Sequence, residues 1–195
     1  MYRTETAFAS LKVPQYLKEF RDAEKFIVFC RECGRYGTCW ACPPYEFDTD
    51  AYLSGYGTAW VIGTKVIADD AVREECARAG NAVGVGREIL RLARRGIDAR
   101  LLAMEAEYPG SRAFFAGTCM LCPEDGCTRA ESRPCIRPEQ VRPSLEAFGL
   151  DMGRTASELL GIEMKWSQHG ELPEYFTLVS GFFTNCPIET PDWEK

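Results

Sequence analysis

The chain has 195 residues, 46% hydrophobic and 27% charged, with a formal net charge of −6. That length suits one domain with its own core, and the acidic balance offers no electrostatic footprint for a nucleic-acid backbone. No apolar run approaches the ~20 residues needed to span a membrane, and the opening residues lack the apolar stretch of a secretory signal, so a cytoplasmic protein is expected.

In chain order, Pro14 can open a helix over Gln15–Ala23 with Tyr16, Leu17 and Phe20 on one face. Lys25–Phe29 reads as a short strand that delivers Cys30. Residues 48–56 form one or two helical turns capped by Asp48 or Thr49. The β-branched and aromatic run at 58–67 predicts a strand. Asp69 or Asp70 then caps a helix over 70–95, weakened by Gly80, Gly84 and Gly86 and ended by Gly96. Its Arg87, Arg91, Arg94 and Arg95 read as a solvated face.

Ala99–Glu107 is expected as a second strand, with Glu105 and Glu107 facing solvent, and Arg112–Ala116 as a short β segment leading into Cys119. Ser144–Phe148 is helical up to Gly149, and Asp151 or Thr155 opens a further helix through Leu160. Alternating apolar residues over 162–166 and 176–183 predict two antiparallel strands joined near His169. Together these elements predict an α+β fold, a single domain over 1–195. Its two-layer core is a mixed sheet of about four strands carrying helices, with cysteine-rich loops at 30–44 and 117–137.

Eight of the ten cysteines fall in two quartets. Cys30, Cys33, Cys39 and Cys42 form two C-x-x-C pairs five residues apart, and Cys119, Cys122, Cys127 and Cys135 follow as C-x2-C-x4-C-x7-C. In a reducing compartment so many thiols point to metal ligation rather than to disulfides. C-x-x-C places two sulfurs on one ion through a tight turn, and thiolates select soft metals. Paired zinc motifs usually stand about 15–20 residues apart, so the five-residue spacer favours iron–sulfur. Pro43 directly after Cys42 is also a ferredoxin trait, and Tyr36, Trp40 and Tyr45 could exclude water. The second quartet, three close cysteines and a remote fourth, suits a cubane cluster. Arg129, Arg133 and Arg137 would offset its negative charge.

Cys76 lies on the apolar side of the long helix and reads as a core thiol. Cys186 reads as packed or surface, with a ninth ligand or a reactive thiol as the alternative. The glycines at 80, 84 and 86 follow no strand directly and make no dinucleotide fingerprint.

The run Cys30-x2-Cys33-x2-Tyr36-Gly37-x2-Trp40-x-Cys42-Pro43-Pro44 resembles the opening signature of the domain-of-unknown-function family 2284, predicted metal-binding proteins. The run Cys119-x2-Cys122-x4-Cys127, with Cys135-x-Arg137-Pro138 and Arg142-Pro143-Ser144-x-Glu146-Ala147-x-Gly149-x-Asp151, is similar to that family's second signature. Leu145 stands where the family pattern suggests Met. The resemblance implies metal or iron–sulfur binding and no established reaction.

The expected function is therefore two cysteine-ligated centres, read as two [4Fe–4S] clusters, for electron transfer or as part of a reductase. The partner would be a redox protein or a small molecule. Two alternatives stay open at this point. One is a zinc-stabilised interaction module. The other is a cluster enzyme with an open iron site acting on a small molecule, for which Cys135 is the ligand to test.

Overall fold

The computed structural model describes residues 1–122, 126–168, 170–189 and 193. Among them four strands form one sheet in the order β1-β2-β4-β3, with β1 Tyr2–Lys12, β2 Thr58–Ala68, β3 Arg112–Phe114 and β4 Phe176–Thr184. The class is α+β, as expected. All three ladders are antiparallel, however, and not mixed. The reason is visible at the first connection: the chain leaves β1 at Lys12 and re-enters at Thr58, its direct partner, so no crossover to the far end is made.

β2 is one of the two interior strands and is buried on both faces. Trp60, Ile62, Val66 and Ala68 enter one apolar core, while Ala59 and Val61 enter the other. Leu178 and Phe182 of β4 join the first, Val179 and Phe183 the second. This is the period-two alternation of a strand read from both sides. The first core is closed by α4 (Asp70–Ala79) and α5 (Ala82–Glu107), the second by α1 (Val13–Phe20), α3 (Thr49–Ser54) and residues around 145–162. Phe114, Phe182 and Phe183 are fully enclosed, each burial contributing roughly 1.5–3 kcal/mol.

Several segments differ from expectation. β1 was not foreseen. Its exposed edge position leaves most of its residues half-buried or exposed, so the alternation that marks a strand is blurred. The expected strand at Lys25–Phe29 is helix α2 (Ala23–Glu32), in which Asp22 Oδ1 accepts the Lys25 N–H at 3.0 Å. That cap starts a helix that propensity alone would not have chosen. The helix expected over 70–95 is two, because Gly80 takes a left-handed φ of 66° and ends α4.

α5 runs on through Gly96, so the expected strand at Ala99–Glu107 is helical. Its Ala, Leu, Met and Glu residues are strong helix formers, and Ile97, Leu101 and Met104 recur along one buried face. Gly86 in this helix is a contact position: a Cβ there would sit 2.9 Å from Phe176 Cζ. The expected hairpin keeps only its second strand, β4, and residues 161–168 are irregular. His169, at its expected turn, lies outside the described residues.

Residues 144–160 behave closer to expectation. A short 3-10 turn at Glu146–Phe148 ends at Gly149, and α6 (Met152–Arg154), capped by Asp151, passes into a π turn at Thr155–Leu159. Gly149 has φ 84°, and a Cβ on it would lie 2.5 Å from Ala23 Cα. Its carbonyl accepts the Asp22 N–H at 2.8 Å, so this turn seats the start of α2 and hence Cys30. No helix among the described residues is long and apolar enough to cross a membrane.

Glu105 does not face solvent. Its carboxylate takes Arg142 Nε at 2.7 Å and Nη2 at 2.5 Å and also accepts the Ala113 N–H at 2.6 Å. The side chains are 13% and 6% exposed. Removing one partner of such a buried pair costs far more than the pair contributes, because the other charge stays buried. Glu105→Ala should lower unfolding free energy by about 3–5 kcal/mol in urea titration, and a loss below about 1 kcal/mol would contradict a desolvated bidentate pair.

Candidate metal centre

Each loop presents its thiols from a more regular element. Cys30 closes the last turn of α2, and the Cys33 N–H bonds back to the Cys30 carbonyl at 3.1 Å. Cys39 and Cys42 repeat that turn at 3.0 Å. Between the pairs, Gly37 at φ 70° donates its N–H to Pro43 O at 2.9 Å and folds the loop back on itself. In the second loop β3 runs directly into the segment carrying Cys119, as expected. A 3-10 turn at Thr128–Glu131 separates Cys127 from Cys135. The Arg137 N–H points at Cys135 Sγ at 3.4 Å, the kind of N–H···S contact that steadies a ligating sulfur.

The two quartets meet. Cys39, 2% exposed, lies within side-chain reach of Cys119 of the other loop and of Cys42 of its own. Acting as acceptor from Cys119 and then Cys42, its thiol is held well below the ordinary thiol range. Cys42 and Cys119 are correspondingly raised, first by giving their hydrogens to Cys39 and then by burial. Cys122 is raised by burial and by Cys127 and Cys135 next to it, and Cys30 by burial and by Cys33. The eight sulfurs therefore form a run from Cys30 to Cys135 with Cys39 and Cys119 in the middle. Among the described residues, no three Cys, His, Asp or Glu side chains close around a point as the ligands of one ion. All ten cysteines are free thiols. As a donor set, eight soft sulfurs and neighbouring backbone N–H groups suit a thiophilic metal.

Backbone and aromatic contacts hold the loops together. Arg129 donates from Nη1 to the Cys39 and Cys42 carbonyls at 3.0 and 2.6 Å, and from Nη2 to Pro44 O. Its guanidinium lies 5.1 Å from the Trp40 ring centroid, and Trp40 Nε1 donates to Arg133 O at 3.1 Å. Tyr45 donates to Ala41 O at 2.8 Å and stacks 5.1 Å from Phe148. Arg129 thus does more than the expected charge compensation, whereas Arg133 turns its charge to Glu131.

Sequence reasoning missed four other neighbours. Arg94, 5% exposed, donates to Thr118 O at 2.5 Å and to Asp98 Oδ2 at 3.1 Å. Burial pushes the Asp98 carboxyl up to about 6, against the pull of Arg94. The buried Thr118 hydroxyl has no oxygen or nitrogen partner and lies beside the Cys42 thiol. Glu146, raised chiefly by burial, sits near Cys30. Arg94 shares a helical stripe with Ile97 and Leu101, three and seven residues on, which is the signal that could have marked it as buried.

Away from the thiol run, Cys76 is a core residue at 1% exposed. Cys186 sets its thiol 3.7 Å from Pro109 O.

Arg129→Lys keeps the charge but cannot fork to carbonyls on two sides of a turn. It should lower the stability of the metal-free protein by about 1–3 kcal/mol in urea. An unchanged transition would show that the loops are held by other contacts.

Residues 17–180 match the model of predicted metal-binding proteins, domain of unknown function 2284. No curated protein and no solved structure matches the chain. The match spans most of the sequence and both cysteine loops, and the chain belongs to this predicted metal-binding family.

Proposed function

We propose that the eight cysteines hold two adjoining iron–sulfur centres of the [4Fe–4S] type, used for electron transfer or as the redox part of a reductase. The observation that carries the reading is the thiol run, in which Cys39 touches both Cys42 of its own loop and Cys119 of the other. Two structural zinc sites would have no need to share an edge, because each is a closed tetrahedron that stabilises its own loop. Two redox centres gain from adjacency, because electron transfer falls off steeply with distance.

In this reading Cys30, Cys33, Cys39 and Cys42 serve one centre, and Cys119, Cys122, Cys127 and Cys135 the other. The clusters would supply one-electron chemistry at potentials set by N–H···S bonds, charge and exposure. The chain's own contribution is to fix the sulfurs, as Arg129 and Trp40 do across the loops. Arg35 places positive charge near Cys39, and Tyr45 and Phe148 stack beside the first loop. The proposal includes a reducing compartment such as the cytoplasm, where free thiols persist. The partner is a redox protein or a small molecule.

Protein purified without oxygen should be brown and contain about eight irons and eight sulfides, two cubanes of four. Cys39→Ser and Cys119→Ser should lose iron, while Cys76→Ser and Cys186→Ser should keep it. A colourless protein with stoichiometric zinc would replace this reading with the zinc-stabilised module.

A further inference from the structure

Beside the second cysteine loop lies a cavity of about 810 Å³, within the range of small-molecule sites. Five arginines line it: Arg35 from the first loop and Arg87, Arg91, Arg94 and Arg95 from α5. The helix spacing of i, i+4, i+7 and i+8 puts all four of the latter on one face. Arg87 and Arg95 on that face are exposed, as the sequence predicts, and the face also lines the cavity together with Cys39, Cys119, Cys122 and Cys127.

The wall is under-neutralised. Arg91 pairs with Glu88 and Arg94 with Asp98. Among the described residues, no carboxylate forms an ion pair with Arg35, Arg87 or Arg95. Against a net charge of −6, this local concentration of guanidinium is a positive patch that can attract an anion. Compensation of the thiolates does not account for all of it. Arg87, Arg91 and Arg95 are not among the main influences on Cys30, Cys39, Cys42, Cys119 or Cys122.

One buried polar atom on a cavity-lining residue, Arg94 Nε, is also without a partner. Native structures leave few such atoms unmatched. Leu90, Ala116 and Leu178 give the cavity an apolar side.

We propose that this cavity binds a small organic anion, with its phosphate or carboxylate on the Arg87–Arg95 face and its apolar body against Leu90 and Leu178. Guanidinium forks match such oxyanions in a bidentate way. The cavity's opening onto Cys119 and Cys122 places the ligand beside the second centre, and that part rests on the proposed metal reading. The arginine wall does not.

The test uses phenyl phosphate, a dianion with an apolar body, titrated calorimetrically at low salt into metal-loaded protein whose metal content is assayed in the same sample. Saturable one-site binding is expected, tighter than that of inorganic phosphate and weakened by added salt. Arg87→Gln/Arg95→Gln, at two exposed positions, should weaken it at least about tenfold, while Arg133→Gln, outside the cavity, should not. Absence of saturable binding, or equal binding by the double variant, overturns the proposal. Binding that persists in protein found to lack iron supports the anion site and counts against the metal reading alone.

Discussion

A single guanidinium sets the geometry on which the site depends. Arg129 comes from the second cysteine loop and spends its donors on the carbonyls of Cys39, Cys42 and Pro44 in the first, while lying against Trp40. Trp40 in turn donates back to Arg133. Each loop therefore satisfies backbone or ring groups of the other. That reciprocal contact brings Cys39 beside Cys119, though the two residues lie 80 positions apart in sequence. Charged donors to carbonyls are among the stronger hydrogen bonds, at about 1.5–3 kcal/mol each. They act here without consuming the sulfurs, which stay available as ligands.

The rest of the fold reads as support for that junction. The sheet is buried on both faces and so is stiff where β3 hands the chain to Cys119. Gly149 packs against Ala23 and fixes the start of α2, whose last turn carries Cys30. The Glu105–Arg142 pair ties α5 to the segment that follows the second loop. Arg94 ties α5 to Thr118, one residue before Cys119. Two buried ion pairs are an expensive way to gain stability. Arg94 also reaches Thr118 O and Glu105 also holds the Ala113 N–H, so both pairs position the chain that leads into Cys119.

The legible parts of the sequence were those with a strong local rule. β2 is set by its β-branched run, and α3 by Asp48, which accepts the N–H groups of Asp50 and Ala51. The helix after Asp151 and the stop at Gly149 followed from capping chemistry. The failures share one cause: tertiary packing outweighed a weak local preference. Phe26–Phe29 look like strand residues, yet nothing in the fold offers them a ladder and Asp22 starts a helix. Residues 99–107 alternate only superficially, and their helical face is what the first core uses. Among the arginines of α5, Arg87 and Arg95 are exposed as expected, but Arg94 is buried because it reaches Thr118, a contact that the sequence carries no trace of. The meeting of Cys39 with Cys119 was likewise out of reach, since spacing defines each quartet and says nothing of the distance between them.

The central claim is that the two quartets make one contiguous redox site. Electron paramagnetic resonance on reduced, iron-loaded protein tests it directly, because two neighbouring paramagnetic centres broaden and split each other's signals. The account predicts a magnetically coupled spectrum that simplifies to a single uncoupled centre when Cys122 and Cys127 are both replaced by Ser. Two independent, unperturbed signals in the unmodified protein would contradict it.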